Sequence, residues 1–141
     1  MTKNLRIPPP SWKIIMLHKH NLLKEIVNLF PKTVSRDIPK NVVILEVKPT
    51  ESKRINRRYG GKNKPANVLS FLYGPEYGEI IICPALIRRE AKKQRNSYEY
   101  QKKWMIAHGL LHLAGIHHEK SVRARKKFEQ IEQTLLEKLG N

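Results

Sequence analysis

Apolar residues recur along the chain with two spacings, and these spacings separate predicted helices from predicted strands. Where apolar residues lie three and four apart, the pattern predicts helices with one buried face. Five such helices are predicted, over residues 18–30, 51–58, 84–95, 98–114 and 121–139. General helix signals agree with these ends, because Pro31 stops the first helix and Pro84 opens the third. Thr50 and Ser97 are the predicted N-caps of the second and fourth helices.

Short apolar runs rich in β-branched residues predict three strands, over residues 42–47, 68–71 and 79–83. The first is apolar at nearly every position, which is typical of a strand covered on both faces. The turn over residues 73–77 is short, so the last two strands are expected to pair antiparallel. Residues 1–12 predict an extended or edge segment because they contain consecutive prolines, and residues 32–40 predict a loop.

The order of these elements predicts a single α+β domain over residues 1–141, with a small mixed sheet packed against about five helices. The helix over residues 98–114 differs from the others. Its first half is polar, but from Trp104 to Leu113 it is apolar on nearly every side. A helix of this kind lies in the middle of a domain rather than at its edge.

The charge of the chain indicates a polyanionic partner. Lysine and arginine number 28 against 12 aspartates and glutamates, a formal net charge of +16. Such a charge favours nucleic acid, although a generally basic surface or contact with anionic lipid gives the same composition. No stretch approaches the ~20 apolar residues that cross a bilayer, and the N-terminus lacks the apolar core of a signal peptide. We therefore expect a cytoplasmic protein without a membrane partner.

The chain has one cysteine, Cys83, which excludes an internal disulfide and fits a reducing compartment. It falls in a predicted strand, so we expect a small buried apolar side chain rather than a ligand or a nucleophile.

Four of the six histidines lie within eleven residues of the most apolar part of the chain. His108 and His112 are four apart and so share one face of the predicted central helix. Gly115 is placed to end that helix, and His117 and His118 follow on the returning chain. Either of these two histidines is placed to complete a cage of three imidazoles. Three nitrogen ligands and one open position are typical of a catalytic zinc site.

Packing is the alternative explanation for these histidines, since a single histidine on an apolar helix face usually belongs to the core. Several buried imidazoles without a shared partner would leave polar atoms unpaired at about 1–3 kcal/mol each. The spacing also matches the H-E-x-x-H-x-x-G-x-x-H pattern of metzincin proteases, which favours His118 as the third ligand and leaves His117 as a supporting hydrogen-bond donor. Gly109 stands where those enzymes have their glutamate base, so the metal site matches and the protease chemistry does not.

Three sequence blocks resemble the YbeY family of bacterial and organellar rRNA-processing endoribonucleases. The family signature H-G-x-L-H-L-x-G-[YF]-D-H is similar to HGLLHLAGIHH over residues 108–118. The family blocks P-T-[DN]-V-L-S-F and G-D-I are similar to PANVLSF over residues 65–71 and GEI over residues 78–80. The blocks occur in the family order, and the resemblance extends over roughly residues 42–139.

The resemblance implies a mixed four-stranded sheet, one divalent ion of which zinc is the favoured choice, and His108, His112 and His118 as its ligands. It also implies action on single-stranded rRNA, maturation of the 16S rRNA 3′ end, ribosome quality control and association with the small ribosomal subunit. The chain departs from the family twice. Gly60 stands in place of an arginine that is important for activity, and His117 stands in place of an aspartate.

Basic residues near the resemblance supply candidate contacts to RNA phosphates. We predict that Arg57, Arg58, Lys62 and Lys64 bind substrate, with Arg57 or Arg58 substituting for the missing family arginine. A solvated, lysine-rich loop is the alternative explanation. Beyond the metal-bound water no catalytic group is identified, and Glu79 and Glu119 are the candidate general bases. Ser70 lies within a predicted strand and is expected to be structural.

Three functional hypotheses follow. The first is a metal-dependent endoribonuclease that acts on single-stranded rRNA. The second is a zinc metallopeptidase-like hydrolase that draws its base from elsewhere; the missing glutamate and the charge of +16 argue against it. The third is a non-catalytic ribosome-binding metalloprotein, in which the ion only stabilises the fold, so that chelation would unfold the chain.

Overall fold

The computed structural model describes residues 13–17, 21–116 and 121–140. In this part of the chain four strands form one mixed sheet: β1 (Lys13–Leu17), β2 (Asn41–Glu46), β3 (Val68–Leu72) and β4 (Tyr77–Ile82). The strand order is β1-β2-β4-β3, with β2 parallel to β4 and both outer pairs antiparallel. The predicted antiparallel pair and the small mixed sheet are confirmed. The extended segment predicted over residues 1–12 lies outside the described residues.

Six α-helices accompany the sheet in the described ranges: α1 (Asn21–Asn28), α2 (Lys32–Ser35), α3 (Pro49–Ile55), α4 (Pro84–Gln94), α5 (Tyr98–Leu113) and α6 (Val122–Leu139). The five predicted helices are among them, and the α+β class is confirmed. The short helix α2 was not predicted, because residues 32–40 have the polar composition of a loop. Burial of Val34, which is 4% exposed, packs this single turn against the core.

The start of α3 differs from the prediction. Thr50 is not the N-cap, because the helix already begins at Pro49 and the cap position belongs to Lys48, which makes no side-chain cap hydrogen bond. Proline suits the first helical position since it has no N–H to satisfy there. By contrast, Ser97 caps α5 as predicted, and its hydroxyl accepts a hydrogen bond from the backbone N–H of Tyr100 at 3.1 Å.

The helix α3 continues into a π-helical turn, Asn56–Gly60, and ends at Gly61, which has a left-handed φ of 74°. A π-helical turn closes i→i+5 hydrogen bonds, so residues within it do not keep the angular spacing of an α-helix. Side chains of the turn therefore point in directions that the α-helical period does not predict.

The sheet has buried residues on both faces, as the apolar run in β2 predicts. Ile80 and Ile82 of β4 belong to the larger apolar cluster with α5, whereas Ile81 belongs to a second cluster with α3. Successive residues of a strand point to opposite faces, and this alternation separates the two clusters. Helix α5 is central, as predicted, since residues such as Leu110 are fully buried against the sheet.

Cys83 follows β4 directly and is 1% exposed, so the predicted buried apolar role is confirmed. Burial also raises the pKa of its thiol above the ordinary value of 9.0, which disfavours the nucleophilic thiolate. Among the residues that the structure describes, none of the helices combines the length and the apolar character that a bilayer span requires.

Candidate metal centre and its groove

Helix α5 brings His108 and His112 together, as the four-residue spacing predicts. Their rings lie 4.9 Å apart between centroids, and their Nε2 atoms are 3.3 Å apart. Two nitrogens bound at about 2.0–2.1 Å to one tetrahedral zinc ion lie about 3.3–3.4 Å from each other. The spacing of these two nitrogens therefore fits one shared ion.

Helix α6 packs against the two histidine rings. The ring of Phe128 lies 5.0 Å from the ring of His108 and 5.3 Å from that of His112, measured between centroids. Phe128 is 1% exposed and belongs to the larger apolar cluster. An apolar surface of this kind limits the orientations that the two imidazoles can take.

One turn beyond Phe128, Glu132 contacts His108. A hydrogen bond joins Nδ1 of His108 and Oε2 of Glu132 at 2.7 Å, and the two side chains are 25% and 15% exposed. Glu132 was not predicted as a site residue. The sequence does contain a signal, because Glu132 lies four residues after Phe128 and beside Ile131 on the apolar face of the predicted helix.

The third predicted ligand, His118, lies outside the described residues, as do His117 and Glu119. Gly115, with a left-handed φ of 85°, turns the chain at the end of α5 as predicted. In residues 13–17, 21–116 and 121–140, no group of three or more histidine, cysteine, aspartate or glutamate side chains forms a metal cage. Two of the three predicted ligands are thus brought together, and His118 stays a prediction.

Gly109 allows α5 to approach the sheet closely. A Cβ atom on Gly109 would lie 3.0 Å from Oγ of Ser70 and 3.1 Å from Cγ2 of Ile80. The Ser70 hydroxyl donates a hydrogen bond to the carbonyl oxygen of Gly109 at 3.2 Å, which agrees with its predicted structural role. A glutamate at position 109 would therefore point into the sheet, so a metzincin-like base has no space at this position.

We expect Gly109→Val to lower the free energy of unfolding by about 1–3 kcal/mol, because the added methyl groups overpack the contact between α5 and the sheet. Chemical denaturation of the metal-free protein measures the change. The matched control is Glu129→Val at an exposed position of α6, where we expect a change within about 0.5 kcal/mol. Equal stability of the two variants would contradict the close approach at Gly109.

Glu79 is not placed to act as the base. It is fully buried in β4 and accepts hydrogen bonds from the hydroxyls of Tyr73 at 3.0 Å and Tyr77 at 3.4 Å. Ile80 faces α5, so its neighbour Glu79 points to the opposite face of the sheet, away from the histidines. The interpretation of Glu79 as a candidate base is therefore wrong. The sequence pattern of a buried strand does not reveal which of its faces helix α5 covers.

A groove of about 950 Å³ leads to His108 and His112. Of the four predicted substrate-binding residues, Lys62 and Lys64 line it, and Arg57 and Arg58 do not. The π-helical turn instead directs Asn56 and Gly60 to the groove. Arg57 and Arg58 are exposed elsewhere, and the Arg58 guanidinium lies 5.6 Å from the centroid of the Tyr59 ring. Neither arginine lines the groove, and their predicted contact with RNA phosphates stays a prediction.

Two cations of the groove come from α4 and were not predicted. Arg89 and Lys93 are four residues apart, so they lie one turn apart on the same face of the helix, and both line the groove. The sequence shows this four-residue spacing, but it does not single out these two residues because many lysines and arginines of the chain have similar spacings. Apolar residues such as Leu72 and Leu86 also line the groove, together with the acidic residue Glu90.

The loop that contains Lys62 and Lys64 is fixed by buried side chains of α3 and the π-helical turn. The Ser52 hydroxyl donates to the carbonyl oxygen of Ala66 at 2.6 Å and accepts from its N–H at 2.8 Å. The Asn56 amide donates to the carbonyl oxygen of Lys64 at 2.8 Å. Ser52 is 1% and Asn56 is 5% exposed, so these hydrogen bonds hold the loop backbone in a defined position.

The chain is similar to known proteins over nearly its whole length. A family model described as Endoribonuclease YbeY matches residues 11–140, nearly the whole chain. The chain belongs to the YbeY family.

Several curated YbeY relatives, each named Endoribonuclease YbeY, cover most of the chain. The relative from Aquifex aeolicus is 32% identical over 136 residues, which are 90% of this chain and 91% of that protein. The relative from Thermotoga petrophila is 31% identical over 122 residues, 84% of this chain and 81% of its own length. The relative from Pseudoalteromonas translucida is 42% identical over 97 residues, with coverages of 64% and 63%.

A solved structure has a similar fold. The solution structure of TM1509 from Thermotoga maritima matches with a TM-score of 0.55 and 27% sequence identity. The match covers 84% of this chain and 81% of that chain. The α+β arrangement described above is therefore shared with a solved protein over most of its length.

Proposed function

We propose that this chain is a metal-dependent endoribonuclease that cleaves single-stranded RNA. One observation carries the proposal: two imidazole nitrogens lie 3.3 Å apart in a groove whose charged lining includes Lys62, Lys64, Arg89 and Lys93. The curated relatives are named endoribonucleases, which supports the same reaction class for this chain.

His108 and His112 would hold one divalent ion, for which zinc is the favoured choice, and His118 is the proposed third ligand. Histidine nitrogens at this spacing suit zinc and neighbouring metals. When bound, an ion of this kind lowers the pKa of water and stabilises negative charge on a phosphoryl oxygen. The chain itself orients the imidazoles through Phe128 and Glu132 and supplies cations for the substrate.

The lining of the groove suits a single strand. Lys62 and Lys64 on the loop, with Arg89 and Lys93 on α4, would contact backbone phosphates and position the RNA without reading its sequence. Apolar residues of the same groove would contact the faces of unpaired bases. In a duplex those faces are stacked inside the helix, so a duplex would lose this part of the interaction.

We extend the proposal to ribosomal RNA, with the small ribosomal subunit as partner and the cytoplasm as location. The roles that we propose for this chain, as the family resemblance implies, are maturation of the 16S rRNA 3′ end and ribosome quality control. The net charge of +16 supports a large polyanionic partner such as the ribosome.

The proposal is tested with zinc-loaded protein and three substrates: a labelled single-stranded RNA, the same RNA annealed to its complement, and an unfolded peptide. We expect cleavage of the single strand, much slower cleavage of the duplex, and an intact peptide, since no glutamate base fits at position 109. A chelator should stop cleavage while the circular dichroism of the protein stays largely unchanged. Peptide cleavage would instead support the metallopeptidase alternative, and unfolding on chelation without any RNA cleavage would support the ribosome-binding metalloprotein.

A further inference from the structure

We propose that Glu132 is a positioning residue, which holds the imidazole of His108 in the one tautomer whose Nε2 carries the lone pair that binds a metal ion. This inference rests on the proposed function, because it concerns the same metal centre. It adds a residue from α6, in a part of the chain that the three family-like blocks do not include.

The hydrogen bond fixes the position of the proton on His108. An ionised carboxylate can only accept hydrogen bonds, so Nδ1 of His108 must be the donor in the 2.7 Å contact with Oε2 of Glu132. A neutral imidazole carries one proton, and with that proton on Nδ1 the lone pair is on Nε2. Nε2 is the atom that faces His112 at 3.3 Å.

The position of the carboxylate is set by the packing of α6. Phe128 and Leu135, one turn to either side of Glu132, are each 1% exposed and belong to the larger apolar cluster. The Glu132 side chain is itself 15% exposed, and thus largely shielded from water, which would compete for the His108 proton. The carboxylate is therefore held in place before a metal ion arrives, as in metal sites where a carboxylate orients a histidine ligand.

Loss of the carboxylate would change which nitrogen is available. Without an acceptor at Nδ1, the proton of His108 can move to Nε2, and Nε2 then has no lone pair to offer a metal ion. Metal binding would first have to move this proton back to Nδ1.

The first test reads the tautomer of His108 in the full-length, metal-free protein. Long-range ¹H–¹⁵N NMR at a pH of about 8, where a free imidazole is neutral, distinguishes Nδ1–H from Nε2–H. We expect Nδ1–H in the unsubstituted protein and in Glu132→Gln, whose amide oxygen still accepts the hydrogen bond. We expect Nε2–H in Glu132→Ala. The control Glu129→Ala, at an exposed position of the same helix, should leave the tautomer unchanged.

The second test measures zinc affinity by competition with a chromophoric chelator. Glu132→Ala is expected to weaken binding by about 10–100-fold, Glu132→Gln by less, and Glu129→Ala not at all. An Nε2–H tautomer in the unsubstituted protein, or a zinc affinity of Glu132→Ala equal to that of the control, would overturn the role of Glu132.

The two tests also separate this inference from the proposed function. If the tautomers behaved as expected but the unsubstituted protein bound no zinc, the metal-dependent function would fail, and the fixing of the His108 ring by Glu132 would stand. If zinc bound and RNA was cleaved, with no effect of Glu132→Ala on tautomer or affinity, only the inference about Glu132 would fail.

Discussion

Replacing His112 by alanine is expected to reduce bound zinc from about one ion per chain to almost none, because one of the proposed nitrogen ligands is removed. We expect RNA cleavage to fall by about a thousandfold, which corresponds to about 4 kcal/mol of lost charge stabilisation. The affinity for RNA should stay within about twofold, since the cations of the groove are unchanged and carry the phosphate contacts.

Metal analysis of the purified protein, cleavage rates and RNA binding by anisotropy measure these three quantities. His20→Ala, at a histidine distant in sequence from residues 108–118, is the matched control and should retain zinc and cleavage. A full complement of zinc in His112→Ala would contradict the proposed ligand set. A parallel loss of RNA affinity would show instead that the substitution disturbs the groove.

The double variant Arg89→Ala/Lys93→Ala is expected to weaken binding of single-stranded RNA by about tenfold or more at low salt. Each lost phosphate contact removes about 0.7 from the slope of log affinity against log salt concentration, so the slope should become shallower by about 1.4. Titrations of RNA at several salt concentrations measure both quantities. Zinc content should stay unchanged, since neither residue is a proposed ligand.

Arg57→Ala/Arg58→Ala is the matched control for this prediction. It removes the same charge, but from residues that do not line the groove. We expect a smaller loss of affinity and a smaller change of slope than for the α4 variant. If the two variants weakened binding equally, the RNA would respond to the net charge of the chain and the assigned path along α4 would be wrong.

The parts of this protein that the sequence predicts well depend on local geometry. The period of α5 and the four-residue spacing of His108 and His112 determine that the two rings share a face, whatever packs around them. The turn between β3 and β4 similarly determines their antiparallel pairing. The helix end at Gly115 follows from a residue that accepts a left-handed conformation.

The parts that were missed depend on how distant segments pack. Glu132 meets His108 across 24 positions of sequence, and no period relates α6 to α5. The alternation of β4 predicts that Glu79 and Ile80 face opposite ways, but only the packed structure reveals that α5 covers the Ile80 side. The sequence also does not reveal that Arg57 and Arg58 lie in a π-helical turn, or that neither of them lines the groove.

The hydrogen bonds from Ser52 and Asn56 to the loop have a consequence for the speed of substrate capture. A binding loop that must first order itself adds an entropic cost and slows association. Here Ser52 and Asn56 already hold the loop backbone around Lys64 in place through hydrogen bonds, so the loop would not need to order itself when RNA binds. Association should then be governed by electrostatic attraction over long range, with a rate constant that falls steeply as ionic strength rises.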